Sequence, residues 1–261
     1  MSHWIPAVAA GAAGLLAGGY VTVLIERVPA AVTMKGSAQE LARHPLGECP
    51  RCTARLAAGD VVPVVSWART TGTCRYCGER FGAWHPAAEL ITAIGFALMG
   101  LCFGASPVLP AFCYLVAVAV ALAFIDARHK RLPDLLTLPS YPVAFVLLGV
   151  ATPVAPDGTG HLLRAIIGLA CASAFYLVLT LIYPAGIGWG DVKLSGLLGL
   201  YLGWVGPTEL VVGLAAGFVL AAVAGIGLIA ARKATRKSQI PFGPFMLAGA
   251  LAVIIAAGLA G

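Results

Sequence analysis

The stretch Phe124-Ile125-Asp126-Ala127-Arg128-His129-Lys130-Arg131-Leu132-Pro133-Asp134 separates two apolar runs, at about 108–126 and about 135–152. Runs of roughly 17–25 apolar residues cross a hydrocarbon core of about 30 Å as helices. Basic residues concentrated in a short connection mark the inner side of a membrane. The stretch therefore reads as an inside turn between two membrane helices, and it leaves one acid, Asp126, at the inner end of the first.

The rest of the chain agrees. With 60% hydrophobic and 11% charged residues, its 261 residues exceed the apolar content of about 45–50% found in soluble domains. Further apolar runs lie at about 5–26, 89–106, 162–184, 193–206, 209–231 and 242–260, which makes eight. The run at 193–206 is short and glycine-rich, so it is expected inside the bundle, where neighbouring helices cover its ends. The first run has no Lys or Arg ahead of it, and Tyr20-Val21-Thr22 is a poor cleavage site, so it reads as a retained anchor. The expected fold is an all-α polytopic membrane protein of about eight transmembrane helices.

Placing the N-terminus outside puts 16 of the 17 Lys and Arg residues inside, with Arg164 the exception. The formal charge of +6 is then the positive-inside bias of a membrane protein and not a phosphate-binding surface, so no nucleic-acid partner is expected. The outer loops, from Gly104 to Pro107, Pro153 to Gly160 and Gly206 to Pro207, are too short to bind much. Function is expected at the cytoplasmic face or in the bilayer.

Three regions follow: a first helix at 1–26, a polar cytoplasmic insert at 27–88, and a membrane core at 89–261. The insert holds Cys49-Pro50-Arg51-Cys52 and Cys74-Arg75-Tyr76-Cys77, two knuckles separated by 21 residues (53 to 73). Four thiolates at such spacing close a tetrahedral zinc site, and a short segment with few core residues needs a staple of this kind. Two disulfides are the alternative, disfavoured on the reducing side. Four thiolates leave no open position on the metal, so the zinc would be structural. Cys102, Cys113 and Cys171 lie in apolar runs and read as small core residues.

A second acid sits at the edge of an apolar run, in Gly188-Trp189-Gly190-Asp191-Val192-Lys193, 65 positions after Asp126 (191 minus 126). In the eight-helix map both fall at the inner boundary, where ionisable residues are costly and read as functional. Two neighbouring carboxyls in a low-dielectric site share a proton: one acts as base on a water, the other hydrogen-bonds the developing oxyanion. That arrangement is the signature of a membrane aspartyl protease. Each acid also has a plainer reading, Asp191 as a helix N-cap, Asp126 as a charge paired with Arg128 or Lys130, and Asp134 as the cap of the next helix. Glu89 suits the start of its helix on the same grounds, and Lys193 either tunes Asp191 or anchors its helix at the headgroups. The chain has no H-E-x-x-H, G-x-S-x-G, P-loop or G-x-G-x-x-G.

With these residues in place the chain resembles the bacterial type IV prepilin peptidases, a family of membrane aspartyl proteases with a G-x-G-D motif. Gly188 to Leu194 matches G-x-G-D-x-K-L, and Asp126 followed by Leu132-Pro133-Asp134 matches the first aspartate motif. Ile25 to Pro29, both cysteine pairs, Val61 to Trp67, His85-Pro86-Ala87-Ala88-Glu89 and Pro241-Phe242-Gly243-Pro244-Phe245 recur in the expected order. The resemblance implies cleavage of the leader from type IV prepilins or type II secretion pseudopilins at the cytoplasmic membrane face, with Asp126 and Asp191 as the catalytic pair. Gly188, Gly190, Asp134, Lys193 and Glu89 would support them. It also implies methylation of the new N-terminal amine with S-adenosylmethionine, in a bacterial inner-membrane protein. Two positions depart from the family pattern: Thr22 stands where Asn is usual, and Arg128 where an acid is frequent.

A reading from another class is a proton- or cation-coupled transporter with a zinc knuckle. It needs acids near the bilayer centre. Here every acid lies near the inner boundary except Asp157 and Glu209, which lie near the outer one.

Overall fold

The structure is a computed structural model that describes residues 3–33, 52, 54–55, 64–80, 82–184, 186–233, 235 and 240–260. Among them are nine helices: α1 (Trp4–Thr33), α2 (Val65–Thr70), α3 (Trp84–Phe103), α4 (Leu109–His129), α5 (Asp134–Ala151), α6 (Gly158–Ile182), α7 (Trp189–Val205), α8 (Pro207–Ala230) and α9 (Gly243–Ala260). The eight apolar runs correspond to every helix except the six-residue α2. Several helices outrun their apolar stretches, α1 reaching Thr33 and α7 starting at Trp189. Helical backbone hydrogen bonding does not stop where the apolar residues do, and in α1 the helix runs on past Pro29.

Seven helices are long and apolar enough to cross a membrane; the eighth, α7, has 17 residues and falls short. At a rise of 1.5 Å per residue it spans about 25 Å against a core of about 30 Å. Its run from Leu194 to Trp204 is buried without a break, as the sequence led us to expect. A helix surrounded by protein meets no lipid, so its ends need not reach the headgroups.

Small residues set the packing. Along α1, a Cβ at Gly14 would lie 2.8 Å from the Ala93 Cα, and one at Gly18 would lie 2.7 Å from the Glu89 Cα. Only glycine lets α1 and α3 approach so closely. Gly168 of α6 meets Gly199 of α7 in the same way, backbone to backbone. The central helix is α4, buried from Ala111 through Asp126 on its inward positions, whereas α8 keeps most of its surface outward. Cys102 and Cys113 are half-buried and Cys171 is exposed, so only the first two contribute to the interior.

Between α1 and α3, the chain from Val65 makes α2, a left-handed turn at Thr71, and an antiparallel bridge between Thr73 and Arg80. The Cys74 N–H donates to the Glu79 carbonyl (2.8 Å) and the Gly78 N–H to the Cys74 carbonyl (2.9 Å). Gly78 sits at φ +72°, a conformation L side chains avoid, and its turn folds Cys77 back beside Cys74.

Candidate active site

α4 ends in a left-handed residue, Lys130, whose N–H bonds the Asp126 carbonyl at 2.8 Å. Asp126 thus occupies the last full turn of a buried helix, 5% exposed, and is the only buried acid among the described residues. Its Oδ2 accepts the N–H of Gly243 at 3.1 Å, at the first residue of α9. A helix N-terminus turned on a carboxylate supplies an unpaired donor and a favourable dipole. A Cβ at position 243 would stand 2.8 Å from that oxygen, so the contact depends on glycine.

Asp191 comes from the opposite direction. α7 is capped by Gly188 in extended conformation, and Asp191 is its third residue, not the cap. Its Oδ2 accepts the Gly188 N–H at 3.0 Å, while its own N–H donates to the Gly188 carbonyl at 3.0 Å. Asp191 is near enough for its charge to act on Asp126. Two acids on helices of opposite direction are thus gathered at one end of the bundle, the end that also carries the C-terminal end of α1 and the N-terminal end of α3.

Leu132 lies in the turn that joins α4 to α5. A Cβ at Gly190 would stand 3.0 Å from the Leu132 Cβ, and one at Gly243 would stand 3.3 Å from its Cδ2. Leu132 therefore packs on the backbone of both helix starts that flank the acids. At Gly188 an added Cβ would make only ordinary contact, 3.6 Å to the Asp191 Oδ2, and nothing in the structure explains a glycine there.

The other expected residues divide. Asp134 opens α5 and takes the Lys193 Nζ on both oxygens, at 2.7 and 2.8 Å. Lys193 is thus committed to Asp134, and it joins the first turns of α5 and α7. The Tyr141 hydroxyl donates to the Lys193 carbonyl at 2.5 Å on the same seam. Glu89 goes elsewhere: its Oε2 accepts the Val64 N–H at 2.6 Å, tying α3 to the residue before α2. Nearby, Glu26 meets the His85 Nε2 at 2.9 Å, and the Arg128 guanidinium lies 3.8 Å over the Trp84 ring. Leu132 and Gly243 entered the sequence reading only inside matched motifs, with no role of their own, and Tyr141 not at all, because their roles depend on helices that meet only in the folded bundle.

The Sγ atoms of Cys52, Cys74 and Cys77 lie within 4.8 Å of one another, and Cys49 lies outside the described residues. Thiolates on one zinc at about 2.3 Å stand about 3.8 Å apart in a tetrahedron, so these three fit a metal ion with little movement.

Residues 12–103 match the family described as the Bacterial Peptidase A24 N-terminal domain, and residues 113–228 match the Type IV leader peptidase family. The chain is 36% identical over 217 residues to the prepilin leader peptidase/N-methyltransferase of Aeromonas salmonicida (strain A449), covering 79% of this chain and 70% of the relative. The chain belongs to the bacterial peptidase A24 family. The protein of that name from Aeromonas hydrophila is 32% identical over 267 residues, covering 92% of this chain and 87% of its own. The Bacillus subtilis (strain 168) protein is 28% identical over 211 residues, with 79% and 80% covered. No solved structure matches significantly. In this A24 chain Asp126 and Asp191 fall within the leader-peptidase match and the cysteine cluster within the N-terminal one, whereas Gly243 lies beyond both.

Proposed function

We propose that this protein is a prepilin leader peptidase that cuts type IV prepilins or type II secretion pseudopilins at the cytoplasmic membrane face and then methylates the new N-terminus. The observation that carries the proposal is that Asp126 and Asp191 come to one end of the bundle, where Leu132 packs on both Gly190, next to Asp191, and Gly243, whose N–H holds Asp126. Each carboxylate is also held by a backbone N–H, from Gly243 and Gly188 respectively.

The pair carries one proton at work. Its ionised member takes a proton from a water as the water oxygen bonds to the scissile carbonyl carbon; the protonated member hydrogen-bonds and then protonates the carbonyl oxygen. The tetrahedral carbon collapses by breaking its bond to nitrogen, which leaves with a proton from the pair as the freed amine. Leader acid and mature amine together account for the peptide plus one water. Backbone donors that need no reorganisation keep both carboxyls aimed while this happens.

A prepilin presents a basic leader joined to an apolar helix, so the pair must lie where polypeptide leaves the bilayer. Placing the N-terminus outside, as the distribution of Lys and Arg favours, puts the aspartates at the cytoplasmic boundary. A transporter would need its buried acid at mid-membrane, whereas Asp126 is in the last turn of α4.

Cys52, Cys74 and Cys77, with Cys49, would hold a zinc ion that staples the segment between α1 and α3. The relatives' name implies a methyl donor; S-adenosylmethionine, the donor that the family resemblance implies, would supply an electrophilic methyl group when bound. The nucleophile is the amine that cleavage frees. No set of side chains in the structure is assigned to the donor.

The test is co-expression of the wild-type chain, Asp126→Ala or Asp191→Ala with a prepilin from the same genome, followed by mass measurement of its N-terminus. The reading expects a shortened, methylated pilin with wild type and uncut prepilin with either variant at equal enzyme level. Uncut prepilin with wild type, or cutting by either variant, would refute it.

A further inference from the structure

A hydroxyl that no hydrogen bond explains lies in an aromatic group next to the start of α9, whose first N–H holds Asp126. Tyr176 of α6 is 0% exposed, and its Oη has no hydrogen-bond partner among the described residues. Its ring stacks on Phe218 of α8, with centroids 5.5 Å apart and planes at 21°, and lies 6.2 Å from Phe242. Phe218 and Phe242 close the group at 5.1 Å. Phe242 immediately precedes Gly243, whose N–H holds Asp126. Asp191 is near enough for its charge to reach Tyr176 as well. Two phenylalanine rings thus hold the phenol beside the residue that precedes Gly243, with Asp191 near enough for its charge to be felt.

Packing alone gives no reason for the oxygen. A buried hydroxyl without a partner destabilises a fold, and phenylalanine would fill the same place without that cost. A phenol with an ordinary pKa of about 10 keeps its proton at neutral pH and can donate it to an oxygen that gains charge. Tyr201 provides the contrast. Its Oη is also buried and unpartnered among the described residues, but it lies ten residues beyond Asp191 on α7, about 15 Å along the helix axis at 1.5 Å per residue.

We infer that the Tyr176 hydroxyl is a third polar group of the peptidase site, donating a hydrogen bond to the oxyanion formed when water adds to the scissile carbonyl. The aspartates move the protons; the phenol stabilises the charge without exchanging any. The inference rests on the peptidase reading and assigns a catalytic residue from outside both aspartate motifs.

The experiment uses full-length enzyme in lipid vesicles and a prepilin peptide, comparing wild type, Tyr176→Phe, Tyr201→Phe and Asp191→Asn. Removing one oxyanion donor typically lowers kcat by about 10²–10³; with a protonated aspartate still donating, we expect Tyr176→Phe to lose about ten- to hundredfold in kcat, with KM within twofold. Tyr201→Phe should match wild type. A statine-type peptide, whose hydroxyl-bearing carbon imitates the tetrahedral intermediate, should bind Tyr176→Phe more weakly by the same factor, while the cleaved leader binds equally. Wild-type kcat in Tyr176→Phe, or a change confined to KM, would overturn the inference and leave the peptidase reading standing. Cleavage by Asp191→Asn would overturn that reading itself. Tyr176→Phe should melt at or above the wild-type temperature, because it removes a buried hydroxyl without a partner; a clearly lower melt would mean that the hydroxyl holds a structural contact and would overturn the inference.

Discussion

Gly243 shows how much a single missing methyl can matter. Its N–H holds the Asp126 carboxylate, and a Cβ would come 2.8 Å from that oxygen, with the backbone of α9 behind it. Gly243→Ala must push Asp126 away or shift the helix start. A misplacement of about 1 Å can cost about 10²-fold in rate, so we expect the variant to lose about tenfold to a hundredfold in cleavage, with the melting temperature in detergent lowered by only a few degrees. Steady-state kinetics on purified protein would check this. The two aspartates were legible in sequence because charge at the edge of an apolar run is costly and therefore conspicuous. Gly243 appeared only as part of the recurring Pro241 to Phe245 stretch, since neither of its contacts lies within 100 residues of it. Tyr176 lies inside the apolar run at 162–184, where nothing in the sequence sets it apart. Lys193 was open to two readings, and its partner Asp134 is 59 residues away on another helix.

At the scale of elements, glycine again decides who meets whom. Gly18 lets α1 rest on α3 at Glu89, the residue that also ties down Val64. A Cβ there would collide with backbone, which cannot rotate aside. Gly18→Val should therefore cost about 1–3 kcal/mol through overpacking, seen as a lower melting temperature and a lower yield of folded protein; an unchanged melt would mean that α1 is not seated on α3 at this point. The cysteine cluster gives a second test at this scale. Zinc analysis of purified protein should return one ion per chain, and Cys74→Ser should lose it, because three ligands and a hydroxyl hold zinc far more weakly than four thiolates. Full zinc retention in Cys74→Ser would remove this residue from the ligand set. The helices themselves were legible from hydropathy, including α7, whose short, glycine-rich apolar run at 193–206 pointed to a buried position. What sequence could not supply was adjacency, because apolar faces directed at lipid and at protein have the same composition in a membrane.

The whole molecule places polar work at one end of a lipid-soluble bundle. Asp126, Asp134, Asp191 and Gly243 all lie at the helix ends facing the same side as the cysteine cluster, while Asp157 and Arg164 pair at 3.4 Å at the other end. Orientation then decides which compartment supplies the substrate. With the basic ends inside, an epitope inserted after Pro156 should be accessible to antibody on cells stripped of their outer envelope layers, and one inserted after Ala234 only after the cytoplasmic membrane is opened; the reverse pattern would contradict a cytoplasmic site. Such a layout lets a precursor keep its apolar segment in the bilayer while its leader junction reaches the acids.

The central claim is that Asp126 and Asp191 act as one unit. Its most direct test is single-turnover cleavage of a prepilin peptide by reconstituted wild type, Asp126→Asn, Asp191→Asn and the double variant. Residues that form one catalytic unit lose nearly everything when either is removed, and nothing further when both are. We predict a loss of at least about 10³ for each single change, in line with general acid–base contributions of about 10²–10⁴, and no additional loss in the double variant. Substantial cleavage by either single variant, or a double variant whose loss equals the product of the two, would contradict it.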